Sequence, residues 1–391
     1  MRRRTKRNLM IVVAVVLVIA GISAWSQLRR EMPQPGWITA DQRSTFLYGS
    51  VGAERDAGVP YWIWLALPRM FPEYMPGNGG YVSLGLAWKE GKEMPAGFSK
   101  KAVGYVRVAG NCALCHAASF RTGPDDGPEV VPAVPGRATD LEGLLTFFRQ
   151  CAQDPRFNAS EIMTEINSAT KLPFMDSLLY RYVLIPRTRR KLLGQNLVMI
   201  DSALERHSRD PYSDAPFSTP QLRELAVWVK SVKVPPYPLE WNVALAKEGN
   251  ALFAQHCGSC HASDGKQKGT TIAIAEIGTD RELADEKKTG GYVAVPLDGI
   301  WMRGPYLHNG SVPTIGDLLK APAQRPASFY RGNNLLNTQD IGFVSDLAQE
   351  KGLHFVLFDT RQPGKGNAGH LYGTGLSDQD KKAILEYLKT L

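Results

Sequence analysis

From Leu9 to Trp25 the chain carries no charged side chain and is continuously apolar over Met10–Ala20; this run follows Arg2, Arg3, Arg4, Lys6 and Arg7. A bilayer core of about 30 Å needs roughly 17–25 apolar residues as a helix. The run therefore predicts a transmembrane helix over 8–27, with its basic flank held cytoplasmic and the rest of the chain outside. A cleaved signal peptide, cut near Ser23-Ala24, is the competing reading. The marginal cleavage site and the length of the run favour the uncleaved anchor.

Beyond the leader the pattern turns helical in four places. Leu141, Leu144, Leu145 and Phe148 form one stripe behind Asp140, predicting a helix over Asp140 to Gln153. Thr219-Pro220 reads as a cap and first turn for a helix to Val232, with Leu222, Leu225, Ala226 and Val229 on its apolar face. Asn242 to Gln255 is a third helical run. Ser377 to Leu391 is a fourth, with Ser377 and Asp380 at capping-box-like spacing and Ile384, Leu385 and Leu388 facing inward. Ala102–Val108 alternates like a short strand or extended segment leading into the first motif region. Glycine and proline punctuate the aromatic block from Tyr61 to Gly80, which predicts loops and short helices there. The stiff segment Val234-Pro235-Pro236-Tyr237-Pro238 divides the chain into domains at 37–234 and 240–391.

Composition changes this picture little. With 391 residues, 43% hydrophobic and 21% charged, the chain has ample material for buried cores. Of the formal net charge of +8, five units lie in the leader, leaving three for everything else. That remainder is too small to point to nucleic acid, and none is expected as a partner.

The cysteines change it a great deal. Four of the five fall in Cys112-Ala113-Leu114-Cys115-His116 and Cys257-Gly258-Ser259-Cys260-His261; the fifth is Cys151. Two thiols about one helical turn apart suit two thioether bonds to haem, and the adjacent His then reaches the iron. Paired C-x-x-C units also bind zinc, but such a site has no need of a His after both pairs. The expected cofactors are two covalently bound haem c groups, held by Cys112, Cys115, Cys257 and Cys260, with His116 and His261 as proximal ligands. The expected fold is mainly α: two cytochrome c-like haem domains with long loops, preceded by the N-terminal transmembrane helix. Each half carries a motif early and a helix at its end, as in a divergent duplication. Cys151 reads as a small buried apolar side chain.

The sixth ligand of each iron separates carriers from oxidant-binding sites. In the second half the loop before the last helix holds His370, the first candidate. His308 is the rival, or a pocket residue beside the haem, and Met302 is third. His354 reads as a satisfied histidine. In the first half the corresponding loop, Asp210 to Phe217, has neither Met nor His; His207, Met199, Met163 and Met175 lie elsewhere. The first haem is thus expected to be five-coordinate or weakly closed. Trp301 and Trp228 are potential inter-haem conduits, with simple packing the commoner role.

The blocks Pro60-Tyr61-Trp62-Ile63-Trp64, Gly79-Gly80-Tyr81, Gly97-Phe98-Ser99 and Asn111 to His116 resemble the first haem region of rubber-oxygenase-like dihaem cytochromes. Arg303-Gly304-Pro305-Tyr306-Leu307-His308-Asn309-Gly310-Ser311-Val312-Pro313-Thr314 and Gly369-His370 resemble the second. Bacterial dihaem cytochrome c peroxidases are similar more distantly. Their electron-transfer haem takes a Met where this chain has Pro322, which adds weight to His370. The resemblance implies one haem with an accessible distal side and one closed, electron-transferring haem.

The leading expectation is a membrane-anchored dihaem electron carrier. The alternative is a peroxidase or dioxygenase acting at the haem of His116, with the haem of His261 as relay. The expected partners are a redox partner protein or quinol-linked donor, and the membrane through the N-terminal helix. The expected location is the cytoplasmic membrane of a bacterium, single-pass, with the haem domains in the periplasm.

Overall fold

The computed structural model describes residues 30–32, 41–194 and 220–391, together with Ile11, Val15 and Ser26. The segment 8–27 thus lies almost wholly outside the described residues, as do Thr219, Met199 and His207. No helix among the described residues is long and apolar enough to cross a membrane. This corrects the expectation of a single-pass membrane protein, and with it the location that followed from the anchor.

The fold is also less helical than expected. Helix accounts for 41% and strand for 15% of the described residues, so "mainly α" gives way to helices interspersed with small sheets. Among the described residues these are one three-stranded sheet and four two-stranded ribbons. The physical reason lies in the long loops. Buried backbone N–H and C=O groups need partners, and here loop segments supply them to one another. Ser328–Arg331, for example, pairs antiparallel with Val356–Asp359 across an intervening stretch.

The chain folds into two compact units that interleave in sequence. The first comprises residues 1–70, 98–111 and 152–217. Its sheet is the antiparallel hairpin Phe98–Val103 and Tyr105–Gly110, extended by Val59–Pro60. Gly104, at φ +76, makes the tight turn. The hairpin contains the alternating segment Ala102–Val108. Tyr61–Met70 then forms a helix whose Ile63, Trp64 and Leu67 are fully buried, with Trp64 and Phe98 ring centroids 5.5 Å apart. Ala159–Ala169 packs on that helix through Ile162, Met163 and Ile166, capped by Asn158.

The second unit comprises residues 71–97, 112–151 and 218–391, and it contains both C-x-x-C-H motifs. Leu141–Gln153 is helical, as its stripe predicts, and buries Leu144, Phe147, Phe148 and Cys151. The main core of this unit gathers Phe120, Trp301, Met302, Tyr306 and Phe343 with Ile384, Leu385 and Leu388 of the helix Asp378–Leu388. Trp301 meets Phe120 and Tyr237 edge-on at 5.1 and 5.6 Å.

Candidate haem site

The second motif is held by a helix crossing. Asn242 Oδ1 accepts from Leu245 N and starts the helix Val243–His256, which runs directly into Cys257. Ser377 caps Asp378–Leu388 in the same manner. The two helices pack where Gly249 lies: a Cβ there would stand 1.9 Å from Ala383 O, so only glycine permits this approach. One turn on, Phe253 and Tyr387 meet with ring centroids 5.1 Å apart. Cys257 N donates to Phe253 O, and Gly258–His261 forms the next short turn. Burial pushes the Cys257 thiol up to about 11, with Cys260 adding to the effect.

His261 Nδ1 lies 3.1 Å from Val295 O. A carbonyl can only accept, so Nδ1 carries the proton and Nε2 keeps its lone pair for a metal. Opposite stands His370, its ring centroid 6.4 Å from that of His261. His370 adopts φ +47, and its N–H donates to Ile277 O. Beside it, Gly369 passes so close to Gly278 that a Cβ would lie 2.3 Å from Gly278 C. The His370 loop is clamped from behind by Arg325. This 5%-exposed guanidinium donates to Asn367 O, Gly369 O, His370 O, Leu318 O and Lys320 O. Burial, then the neighbouring His261, holds the His370 imidazole down at about 4.

These residues fit a haem iron. Two metal–imidazole bonds of about 2 Å each take up roughly 4 Å of the ring separation, and the ring radii take up the remainder. His370 Nδ1 is buried without a hydrogen-bond partner. Val293, Val295, Leu371 and Tyr372, close in sequence to the residues of the pair or its contacts, are exposed apolar side chains.

The other two candidates make different contacts. His308 stacks on Tyr292, with centroids 3.7 Å apart and ring planes at 14°, and its Nε2 is buried without a partner. Burial lowers its imidazole to about 4. Met302, 1% exposed, fills the core beside Trp301.

The first motif forms the short helix Ala113–His116. Gly97, at φ +94, lays its bare Cα against Leu114, where a Cβ would meet Leu114 Cα at 2.4 Å. Gly136 N donates to Cys115 O and Val134 N to His116 O. The chain then pairs as Ala117–Phe120 with Glu129–Pro132. Burial raises both thiols, Cys115 to about 11. Met163 and Met175 belong to the other compact unit, where Met163 is buried and Met175 is 70% exposed. No cluster of three or more His, Cys, Asp or Glu side chains forms a metal site among the described residues.

Three contributors to this site escaped the sequence reading: the Val295 carbonyl, Arg325 and the bare Cα of Gly249. A backbone acceptor and a carbonyl-binding arginine leave no spacing signature. Gly249, in mid-helix, did leave one, since glycine there is costly without a packing reason.

Residues 291–330, which include Tyr292, Val295, His308 and Arg325, match the model of the RoxA-like, cytochrome c-like family. A cytochrome c-like domain implies covalently bound haem c. The chain is also similar to the uncharacterized proteins y4iJ and y4iM of Sinorhizobium fredii (strain NBRC 101917 / NGR234). It is 43% identical to y4iJ over 126 residues, covering 28% of this chain and 20% of the relative. It is 30% identical to y4iM over 220 residues, covering 39% of this chain and 50% of the relative. The chain thus spans at most half the length of these curated relatives.

Proposed function

We propose that this c-type cytochrome is a dihaem electron carrier whose second haem is closed by two histidines. Cys257 and Cys260 would anchor that haem, and His261 and His370 would bind its iron. The observation that carries this reading is the facing pair of imidazoles, with His261 Nδ1 committed to Val295 O. Haem supplies one-electron redox chemistry when bound. The chain's own residues do the rest. Arg325 fixes the His370 loop, and the Gly249 crossing fixes the cysteines. A metal held by two neutral imidazoles has no free position for a substrate, which suits electron transfer.

Cys112, Cys115 and His116 would hold the other haem, with a redox partner protein or quinol-linked donor as the electron source. The test is a haem count per chain on the purified protein and on two variants, C112S/C115S and C257S/C260S. Two haems falling to one in each variant support the reading. One haem in the parent overturns the dihaem assignment, and none overturns the whole.

A further inference from the structure

One charged cluster in the second unit is not used by the iron-binding pairs. Arg137 follows Gly136, whose N–H is bound to Cys115 O of the first motif. Its guanidinium donates from Nη1 to Leu307 O. Arg331, at the end of the strand Ser328–Arg331, donates from Nη2 to Arg137 O at 2.8 Å. The Arg331 guanidinium lies over Gly310, where a Cβ would stand 3.9 Å from Arg331 Cζ and Nη2. Each arginine so spends one of its five N–H donors on a backbone carbonyl. Neither has an ion-pair partner among the described residues. Asp140 is the carboxylate whose field reaches Arg331, and its Oδ1 accepts from Gly143 N. Arg303 adds a third positive charge felt by Arg137, and burial depresses both Arg137 and Arg331.

The polar atoms around the pair are also incomplete. His308 Nε2 and Ser311 Oγ, which can donate to an anion, are buried without hydrogen-bond partners. Native proteins rarely leave such groups unmatched unless something else meets them. Two half-buried guanidiniums without a carboxylate in ion-pair contact are costlier still.

The position narrows what that missing partner is. On one side, Arg137 is one residue from the carbonyl contact to Cys115. On the other, His308 stacks on Tyr292, three residues before the carbonyl that holds His261. The cluster thus connects to both C-x-x-C-H motifs within one compact unit. A planar guanidinium fork matches a carboxylate in bidentate fashion.

We propose that Arg137 and Arg331 form a cationic receptor for haem carboxylates, the propionate groups of the haem anchored at His116 or of the one anchored at His261. This rests on the haem reading above. A fixed positive charge at a propionate favours the ferrous state, because reduction adds one negative charge to the haem. The arginine pair therefore sets the potential of the haem it holds.

Spectroelectrochemical titration of the holoprotein, with R137Q, R331Q and the charge-keeping R137K and R331K, tests this. A haem count on the parent is made first: a parent without haem is a failure of the functional reading and is seen there. The expected result is an unchanged haem count with one midpoint potential lowered in each Gln variant. The shift is about tenfold in the ferrous/ferric ratio, or ~59 mV for one electron, and the Lys variants recover most of it. The haem that moves identifies the source of the carboxylate. Should R137Q fail to accumulate, R331Q carries the same comparison, since Arg331 contributes a single hydrogen bond to the backbone. Potentials in the Gln variants equal to those of the parent would overturn the proposal and leave both arginines as carbonyl clamps.

Discussion

His261 and His370 face each other with ring centroids 6.4 Å apart, although 108 positions separate them in the chain. One ring is oriented by the Val295 carbonyl, and the other is carried on a loop fixed by Arg325. Replacing His370 by Ala is expected to keep the haem on Cys257, Cys260 and His261 but open its sixth position. A high-spin signal should appear in the ferric absorption and EPR spectra. His370→Met should stay low-spin and raise the midpoint potential, since Met/His ligation raises it. A parent spectrum with no bis-histidine low-spin component would remove His370 from the site.

Gly249→Ala places a methyl group against the Ala383 backbone, which cannot yield as a flexible side chain could. Overpacking of this kind costs about 1–3 kcal/mol. Thermal unfolding of the holoprotein should show a lowered midpoint. An unchanged midpoint would mean that the two helices separate without loss.

Arg325→Met leaves five carbonyl groups without their donor in a buried place. At about 1–3 kcal/mol for each group left unsatisfied, the loss is large even if water replaces part of it. The effect should be double: lower stability, and a fraction of high-spin haem as the His370 loop loosens. Lower stability with the spin state unchanged would show that Arg325 supports the fold and not the ligand.

Much of the helical framework was readable from sequence. Asp140, Asn242 and Ser377 announce helices that form at Leu141–Gln153, Val243–His256 and Asp378–Leu388, because capping and the 3.6-residue stripe are local signals. The hairpin at Phe98–Gly110 was half visible through its alternation. The two-stranded ribbons were not. Ser328–Arg331 and Val356–Asp359 find each other across 24 intervening residues, and no periodicity marks such short pairs. The helix Ala159–Ala169, capped by Asn158, was missed for a different reason: its Ser, Thr and Asn content masks a short apolar stripe. In the site, the motifs and His370 were legible as residues. The partners that orient them were not, because backbone carbonyls are common to every residue.

Lys191 gives a prediction for pH. Its ammonium donates to Asp56 O and Gly58 O, and burial, with Arg107 and Arg187 nearby, lowers it from 10.5 to about 8. Below about pH 8 both folded and unfolded chains keep this proton, and the folded chain bears the full cost of burying the charge. Between about 8 and 10.5 the unfolded chain holds more protons, so stability rises with pH. Lys191→Met should abolish that rise, a difference of up to about 3 kcal/mol across the window. Denaturant unfolding of the two proteins at pH 7.5 and 10 makes the comparison. Equal slopes would place the amine in water.

The seat of Gly249 on Ala383 also bears on how the protein is made. The helix leading into Cys257 gains its partner only after a ribosome has added the residues through Leu388, so the two thiols emerge long before their surroundings can close. On the haem reading proposed above, the Cys257 and Cys260 sulfurs would remain approachable during that interval, and covalent attachment would precede the docking of the last helix. On that reading the order of synthesis leaves the pocket ajar for haem. A permuted chain that made Asp378–Leu388 first would lose that interval.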